Sequence, residues 1–215
     1  MKQLYQKTNC IKKFLNDNKA VIIAVLVVFL IGTLLGMVAE AEQISEKFLR
    51  FHIVANSNSM EDQGVKMKVR ETIFSEMDFS EISSKEEALA YFKNHQKELK
   101  NIADRVLREN GFSYEADVFV GKKEFPVREY SDFVLPAGCY DAVSITLGDG
   151  GGENFFCVMY PSLCKIEGVT ESVDVDCQSI NYILTDKEAS VITGNKKQIV
   201  CKFKIVEFFQ RLFSV

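Results

Sequence analysis

An unbroken apolar run near the N-terminus is the feature that most constrains this chain, because residues 20–39, AVIIAVLVVFLIGTLLGMVA, carry no charge. Twenty helical residues at 1.5 Å each span about 30 Å, which is the thickness of the hydrocarbon core of a bilayer. Residues 1–19 contain five lysines and one aspartate, whereas Glu40, Glu42 and Glu46 follow the run directly. Because positive charge stays on the cytoplasmic side, the sequence predicts a cytoplasmic N-terminus and an exported remainder.

The residues leave open whether the apolar run stays in the membrane. Its length favours a transmembrane anchor, since the apolar core of a signal peptide is about 7–15 residues long. Ala39 and Ala41, however, are the small residues that a signal peptidase requires. We therefore predict a basic cytoplasmic segment, residues 1–19, a signal peptide or anchor, residues 20–41, and one exported domain, residues 42–215.

The exported part is acidic and large enough to fold alone. It has 21 basic and 28 acidic residues, a net charge of about −7. That excess argues against nucleic acid and against an anionic membrane surface as partners. With about 174 residues it can bury a hydrophobic core without help from metals.

Cysteine and histidine usage shows no metal-site pattern. Cys10 precedes the apolar run, and five cysteines follow it at positions 139, 157, 164, 177 and 201. An exported compartment permits disulfides, and the odd number leaves one thiol over or pairs it between chains. Cys157 and Cys164 are the nearest couple and flank the turn formers Pro161 and Ser162. No CxxC or HxxxH spacing occurs, so we predict neither a metal nor another cofactor.

Hydrophobic periodicity predicts an α+β domain with a mainly antiparallel sheet and packed helices. Residues 48–55, FLRFHIVA, alternate as a half-buried strand does. Ser59 and Asp62 form a loose capping box for a helix, and Asn56 and Asn58 suit the turn before it. The apolar face of this helix recurs every four residues, at Val65, Val69, Ile73 and Met77.

The middle of the chain predicts a long helix and then strands. Ser84 and Glu87 form a capping box for one helix of about 26 residues that ends at Gly111, with His95 packed on its apolar stripe. Strand patterns follow at residues 112–120, 125–127, 140–147 and 154–160. The segment GDGGGEN, residues 148–154, lacks the Lys-Ser/Thr of a phosphate loop. We therefore predict a hairpin there, with glycines at positive φ.

The C-terminal stretch, residues 201–215, predicts a helix with one apolar face that docks on the sheet. The residues of that face are Ile205, Phe209, Leu212 and Phe213.

Three stretches resemble the stage II sporulation protein R family. RFHIVANSNSMEDQGVKMKVR, residues 50–70, is similar to the family's N-terminal signature, in which a strand ending in ANS precedes a polar pair, DQ and a basic helix. FVLPAGCYDAVSITLGDGGGENFFCVMYPSLC, residues 133–164, is similar to the second block, with YPAGEYEA, a glycine-rich turn and NWWCVLFPPLC. KFKIVEFF, residues 202–209, is similar to the closing helix.

The departures from the family pattern are local. Phe155 and Phe156 replace a Trp pair, which keeps aromatic bulk and loses two indole donors. Cys139 stands where the family has glutamate. Cys157 and Cys164 match the family's own cysteines, so the resemblance implies a disulfide between them.

The resemblance implies a signalling protein and not an enzyme. Members of the family are made in the forespore and exported into the space between its membrane and that of the mother cell. There they activate a membrane-embedded aspartic protease of the mother-cell membrane, which cleaves the pro-sequence from sigma factor E. Two stretches of the family pattern supply the candidate partner-binding residues, which are Asn56, Ser57, Asn58, Ser59, Asp62, Gln63, Phe155 and Phe156.

Two other classes stay open from the residues. One is an extracytoplasmic thiol or Cys–His enzyme built on His52 and a cysteine, although no nucleophile motif accompanies them. The alternative interpretation of His52 is an alternating strand residue. The other class is a structural subunit of a membrane complex, held by residues 20–39.

Overall fold

The structure, a computed structural model, describes residues 18–79, 82–130, 133–160 and 183–213. The chain divides into two compact units, Met1–Glu40 and Ala41–Val215. Several predictions concern residues outside the described ranges, namely most of the basic segment, Cys10, Cys164 and Cys177.

The apolar run forms most of helix α1, Lys19–Ser45. An 18-residue stretch of α1 has a mean hydropathy of 3.0, and α1 is the one helix of the described residues that is long and apolar enough to cross a bilayer. The side chains of this stretch are mostly exposed, with Val28 at 70% and Phe29 at 69%, so they need an apolar surrounding outside the chain. These properties fit a membrane anchor and a signal sequence equally well.

Within the described residues, a four-stranded mixed sheet forms the centre of the second unit. The strands in chain order are β1 Leu49–Val54, β2 Ala116–Phe125, β3 Arg128–Glu129, β4 Val134–Leu135, β5 Gly138–Leu147 and β6 Asn154–Tyr160. The sheet order is β2-β5-β1-β6, and β3 and β4 form a separate pair. Strand β1 is parallel to β5 and antiparallel to β6, and β2 is antiparallel to β5. The predicted α+β class with a mainly antiparallel sheet is confirmed.

The predicted hairpin between β5 and β6 is wrong, because β1 lies between them. Val54 at the end of β1 is opposite Thr146 of β5 on one side and Asn154 of β6 on the other. The glycine-rich segment therefore crosses the end of β1. Its glycines do adopt positive φ, 55° at Gly148 and 63° at Gly150, as predicted.

Helices α2 Met60–Glu76, α3 Lys85–Asn94 and α4 Gln96–Glu109 cover one face of the sheet. Ser59 caps α2, because its Oγ accepts a hydrogen bond from the backbone N of Asp62 at 3.1 Å. The predicted apolar face of α2 is buried, which confirms it; its residues are Val65, Val69, Ile73 and Met77.

The prediction of one long helix after Ser84 is wrong, because the helix breaks at His95. The imidazole folds back onto the preceding turn, with Nδ1 2.8 Å from the carbonyl O of Tyr91 and the two rings stacked at 4.2 Å. The backbone of His95 leaves the helical region, with φ −101° and ψ 15°. Helix α4 can then take its own direction and pack against α2 and β2. It ends at Glu109, and Gly111, the second residue after its end, has a φ of 84°.

The prediction that β1 is half-buried is also wrong, because all six of its residues are buried. Leu49, Phe51 and Ile53 face the helices, whereas Arg50 and His52 lie among aromatic rings on the other face. A second core covers that face, built from β4, from helices α5 Asp186–Thr193 and α6 Lys196–Phe213, and from the end of α1. The alternating side chains of β1 therefore face two hydrophobic cores, one on each side of the sheet, and neither set faces solvent.

The terminal helix is present, but its predicted apolar face is wrong. Helix α6 buries Ile199, Phe203 and Val206 against α5 and β4, while Ile205 is 44% exposed. Apolar residues occur all around α6, so the pattern alone does not select a face. The side chains of Leu212 and Phe213 lie outside the described residues.

The burial of His52 predicts a pH-dependent stability. Burial, the largest cause, and the charges of Lys123, Arg50 and Arg128 together lower the pKa of His52 from 6.5 to about 4, although a hydrogen bond with Asn154 opposes them. Between pH 6.5 and 4 the unfolded chain gains a proton at this residue that the folded chain does not. The free energy of unfolding should therefore fall as the pH is lowered through this window, by up to ~3 kcal/mol.

Thermal unfolding of the full-length protein in detergent, followed by near-ultraviolet circular dichroism from pH 7 to 4, measures this slope. His52→Gln should flatten it, and His95→Gln, at the other histidine, is the matched control and should keep it. An unchanged slope in His52→Gln would contradict the prediction.

Candidate functional site

Two loops meet at the end of the sheet where β1 and β5 stop. We call residues 56–59, between β1 and α2, the polar turn, and residues 148–153, between β5 and β6, the glycine-rich loop. Because β1 and β5 are parallel, both loops leave the sheet at the same edge. The polar turn and the glycine-rich loop thus bring together two stretches that are far apart in the sequence.

Asparagine side chains of the polar turn hold the glycine-rich loop. The Oδ1 of Asn56 accepts a hydrogen bond from the backbone N of Asp149 at 3.0 Å. The Oδ1 of Asn58 accepts one from the backbone N of Glu153 at 2.7 Å. The two side-chain amides therefore fix the start and the end of the loop. Asn suits this role because it carries a hydrogen-bond acceptor on a short side chain.

The backbones of the two loops also bind each other directly. Gly151 N donates to the carbonyl O of Asn56 at 3.0 Å, and Gly152 N donates to that of Ala55 at 2.9 Å. A Cβ on Gly152 would lie 2.2 Å from the carbonyl O of Ser57. Glycine is therefore required here by the close approach of two backbones.

The carboxylate of Asp62, in the first turn of α2, is a shared hydrogen-bond acceptor for side chains of the polar turn. Asp62 is 5% exposed and accepts hydrogen bonds from Asn56 Nδ2 at 3.1 Å, from Ser57 Oγ at 2.5 Å and from the Tyr114 hydroxyl. Burial raises the pKa of Asp62, but these hydrogen bonds together outweigh it and the pKa is lowered. The pKa of the Tyr114 hydroxyl is raised by burial and by the bond to Asp62. Asp62 is therefore a charged hub of the turn and not the second half of a capping box.

Lys66 and Gln63 link α2 to both loops. Lys66 Nζ donates to Gln63 Oε1 at 2.6 Å and to the carbonyl O of Glu153 at 3.1 Å, and Gln63 Nε2 donates to the carbonyl O of Ser57 at 2.8 Å. Lys66 is 6% exposed, and burial lowers its pKa while Glu153 opposes this. The sequence analysis missed Lys66. A lysine one turn after Asp62, next to the apolar face of α2, is the signal that would have indicated it.

The two predicted aromatic residues point to opposite faces of β6. Phe155 packs with the core under the helices, and the guanidinium carbon of Arg70 lies 5.1 Å from its ring centre. Phe156 stacks on His52 at 4.6 Å on the other face. The structure therefore groups the polar turn with Asp62, Gln63 and the glycine-rich loop, and it separates Phe156 from them.

An exposed methionine lies next to the polar turn and was also missed by the sequence analysis. Met60, the first residue of α2, is 86% exposed, the most of any large hydrophobic side chain in the described residues. In the sequence, Met60 could have been noticed as an apolar residue that does not fall on the four-residue period of the buried face of α2. A single exposed apolar side chain is common on protein surfaces, so Met60 is a position to test and not by itself a sign of a contact surface.

The remaining predicted chemistry is only partly described. Cys157 is buried on β6, while Cys164 lies outside the described residues, so their disulfide stays a prediction. Cys139 and Cys201 are exposed free thiols. The described part of the chain holds no group of three or more His, Cys, Asp or Glu residues placed for a metal ion. The polar side chains of the polar turn and of the start of α2 are instead hydrogen-bonded to one another.

Comparisons with known proteins give one consistent family. The family model described as stage II sporulation protein R matches residues 45–170. The chain is 31% identical over 222 residues to stage II sporulation protein R of Bacillus subtilis (strain 168), a match that covers 91% of this chain and 99% of that protein. No solved structure is significantly similar to it. This chain belongs to the stage II sporulation protein R family.

Proposed function

We propose that this protein is an exported signal of sporulation that binds and activates a membrane-embedded aspartic protease in the mother-cell membrane. That protease would cleave the pro-sequence from sigma factor E. Family membership supports the sporulation role, and the apolar helix α1 is compatible with export from the forespore as a cleaved or anchored protein.

The observation that carries the proposal is the meeting of the polar turn and the glycine-rich loop. Both stretches belong to the family pattern, and their hydrogen bonds hold them as one surface at one end of the sheet. Met60 adds an exposed apolar side chain to this surface.

The activator would work by binding alone. A ligand shifts a protease toward its active arrangement only by as much as it binds that arrangement more tightly. The network around Asp62 orders the two loops before the partner arrives, which reduces the ordering cost of binding. The surface is therefore suited to select one arrangement of the partner.

A substitution at Met60 tests the proposed surface. Met60→Glu places a charge in an apolar contact and should lower sigma factor processing by about tenfold, the equivalent of ~1.4 kcal/mol of binding. The measurement is co-expression of the full-length chain with the protease and pro-sigma factor E, with the shortened sigma factor quantified. Met60 is the sharper position, because Asn56 and Asn58 hold the glycine-rich loop and their loss would alter the fold.

The matched control is Ser75→Glu, which adds the same charge to an exposed position of α2 about 22 Å away along the helix. Ser75→Glu should process sigma factor as the parent does, and both variants should unfold at the parent's temperature. Parent-like processing by Met60→Glu would remove this surface from the proposal.

The alternative of a Cys–His enzyme lacks support at His52. This residue is 6% exposed, and Nδ1 lies 3.2 Å from the Oγ of Ser144, which is itself 2% exposed. Its neighbour in the register of β6 is Phe156, and Cys157 is opposite Phe51. A substrate would have to reach the buried atoms of His52, and no described cysteine sulfur lies next to them. Binding without catalysis is therefore the function that the described residues support best.

A further inference from the structure

On the side of the sheet opposite α2–α4, the described residues bring together three cationic side chains and one histidine. Arg50 and His52 come from β1, Lys123 from β2 and Arg128 from β3. We propose that this group, which we call the basic cluster, is a binding site for an oxyanion, a carboxylate or a phosphate group. The proposal does not rest on the proposed function.

Arg50 is the innermost member of the basic cluster. It is 0% exposed, and its guanidinium carbon lies 4.2 Å from the ring centre of Phe125 and 4.9 Å from that of Tyr140. Its Nη2 donates to the hydroxyl of Tyr130 at 3.2 Å, whereas Nε and Nη1 have no acceptor. Contacts with aromatic faces offset part of the free-energy cost of burying a cation. The N–H groups without an acceptor would still be stabilised by an anionic ligand.

Arg128 and His52 lie against the ring of Phe156, which is also near Arg50. The guanidinium carbon of Arg128 lies 3.9 Å from the centre of this ring, and His52 stacks on it at 4.6 Å. Arg128 Nε is buried and, like Nε and Nη1 of Arg50, has no hydrogen-bond partner. Two arginines from different chain segments thus bring N–H groups without acceptors to the surroundings of one ring.

Unlike Lys85, the cationic side chains of the basic cluster have no carboxylate partner among the described residues. Lys85 of α3 forms a 2.7 Å ion pair with the buried Asp141 on the neighbouring strand β5. Arg50, Lys123 and Arg128 form no ion pair with a described carboxylate. Burial lowers the pKa of Lys123 and that of Arg128; at Arg128 Tyr130 opposes this, whereas the charge of Arg50 adds to it.

The geometry suits an oxyanion more than other ligands. Guanidinium groups bind carboxylate and phosphate oxygens through several donors at once, and a cation or a neutral apolar group would leave those donors unpaired. Arg128, Lys123 and Phe156 are half-buried, so they form the rim through which an anion can reach the cluster. Lys123 Nζ, which donates to Ser144 Oγ at 2.7 Å, retains further hydrogens for a ligand.

Calorimetric titration of the full-length protein in detergent with sodium phosphate, and separately with sodium acetate, tests the site at constant ionic strength set by sodium chloride. We expect saturable binding of one anion per chain. Arg128→Gln should weaken this binding about tenfold or more, because a hydrogen bond to a charged group is lost. Tighter binding of phosphate would identify a phosphoryl group as the ligand, and tighter binding of acetate a carboxylate.

Arg108→Gln is the matched control, since Arg108 is an exposed arginine on α4, in the layer on the other side of the sheet. It should bind both anions as the parent does. Lys123→Gln, at the rim, repeats the test independently should Arg128→Gln not fold, and it too should weaken binding. Absence of saturable binding for both anions, or parent-like affinity in the folded cluster variants, would overturn the proposal.

Discussion

Replacing Asp62 by alanine is expected to lower the free energy of unfolding by about 3 kcal/mol, because a charged acceptor shared by several donors is removed. Asn56, Ser57 and Tyr114 would lose their common partner, and Asp62 is 5% exposed, so water replaces it poorly. For a domain of this size the loss corresponds to a fall of roughly 6–12 °C in the unfolding temperature. Thermal unfolding of the full-length protein in detergent, followed by near-ultraviolet circular dichroism, measures it.

Glu61→Ala is the matched control, since Glu61 is an exposed carboxylate in the same first turn of α2. Both variants lose a favourable charge at the helix N-terminus, worth about 0.3–1 kcal/mol, so their difference isolates the network. Because the pKa of Asp62 is lowered below 3.8, its contribution is present at higher pH and is lost as the pH falls below that value. A difference below about 1 kcal/mol between the variants at pH 7 would contradict the role of Asp62.

Local patterns predicted the elements of this fold better than their arrangement. The alternation of residues 140–147 and the apolar run at residues 154–160 match β5 and β6 closely, and the caps at Ser59 and Ser84 are present. The insertion of β1 between β5 and β6 depends on pairings about 90 residues apart, which no local pattern records. The break at His95 needs neither Gly nor Pro, so the usual breaker signals do not indicate it.

The residues of the polar turn could be predicted, but their physical role could not. Asn56 and Asn58 suit a turn by type, yet their side chains accept hydrogen bonds from residues 93 and 95 positions away. Alternation likewise placed Arg50 on the second face of β1, but only the packed rings of that face show that it is completely buried. The contacts that build the candidate site join distant segments, and the periodicity of a single segment does not predict such contacts.

The close contact between the glycine-rich loop and the polar turn makes Gly152 the most constrained position of the site. A Cβ at this position would lie 2.2 Å from the carbonyl O and 2.6 Å from the carbonyl C of Ser57. Both atoms belong to the backbone and cannot turn aside as a flexible side chain can. The loop must therefore move away if any side chain is placed there.

Gly152→Ala is accordingly expected to detach the glycine-rich loop from the polar turn. The hydrogen bonds from Gly151 N to Asn56 and from residue 152 N to Ala55 would break, with a loss of stability of about 3 kcal/mol from steric strain and lost bonds. Hydrogen exchange of the amides of residues 151 and 152 in the full-length protein measures the detachment, since both amides should lose their protection. Sigma factor processing should fall in parallel if the two loops form the partner surface.

Gly64→Ala provides the matched control, because a Cβ at Gly64 meets no atom within 4 Å and the position is inside α2. The same methyl group should there stabilise the protein by up to about 1 kcal/mol through helix propensity. The two substitutions are thus predicted to have opposite signs, which separates the steric contact from any general effect of replacing glycine. Parent-like protection of the loop amides in Gly152→Ala would show that the backbones are not in contact, and the proposed surface would lose its physical basis.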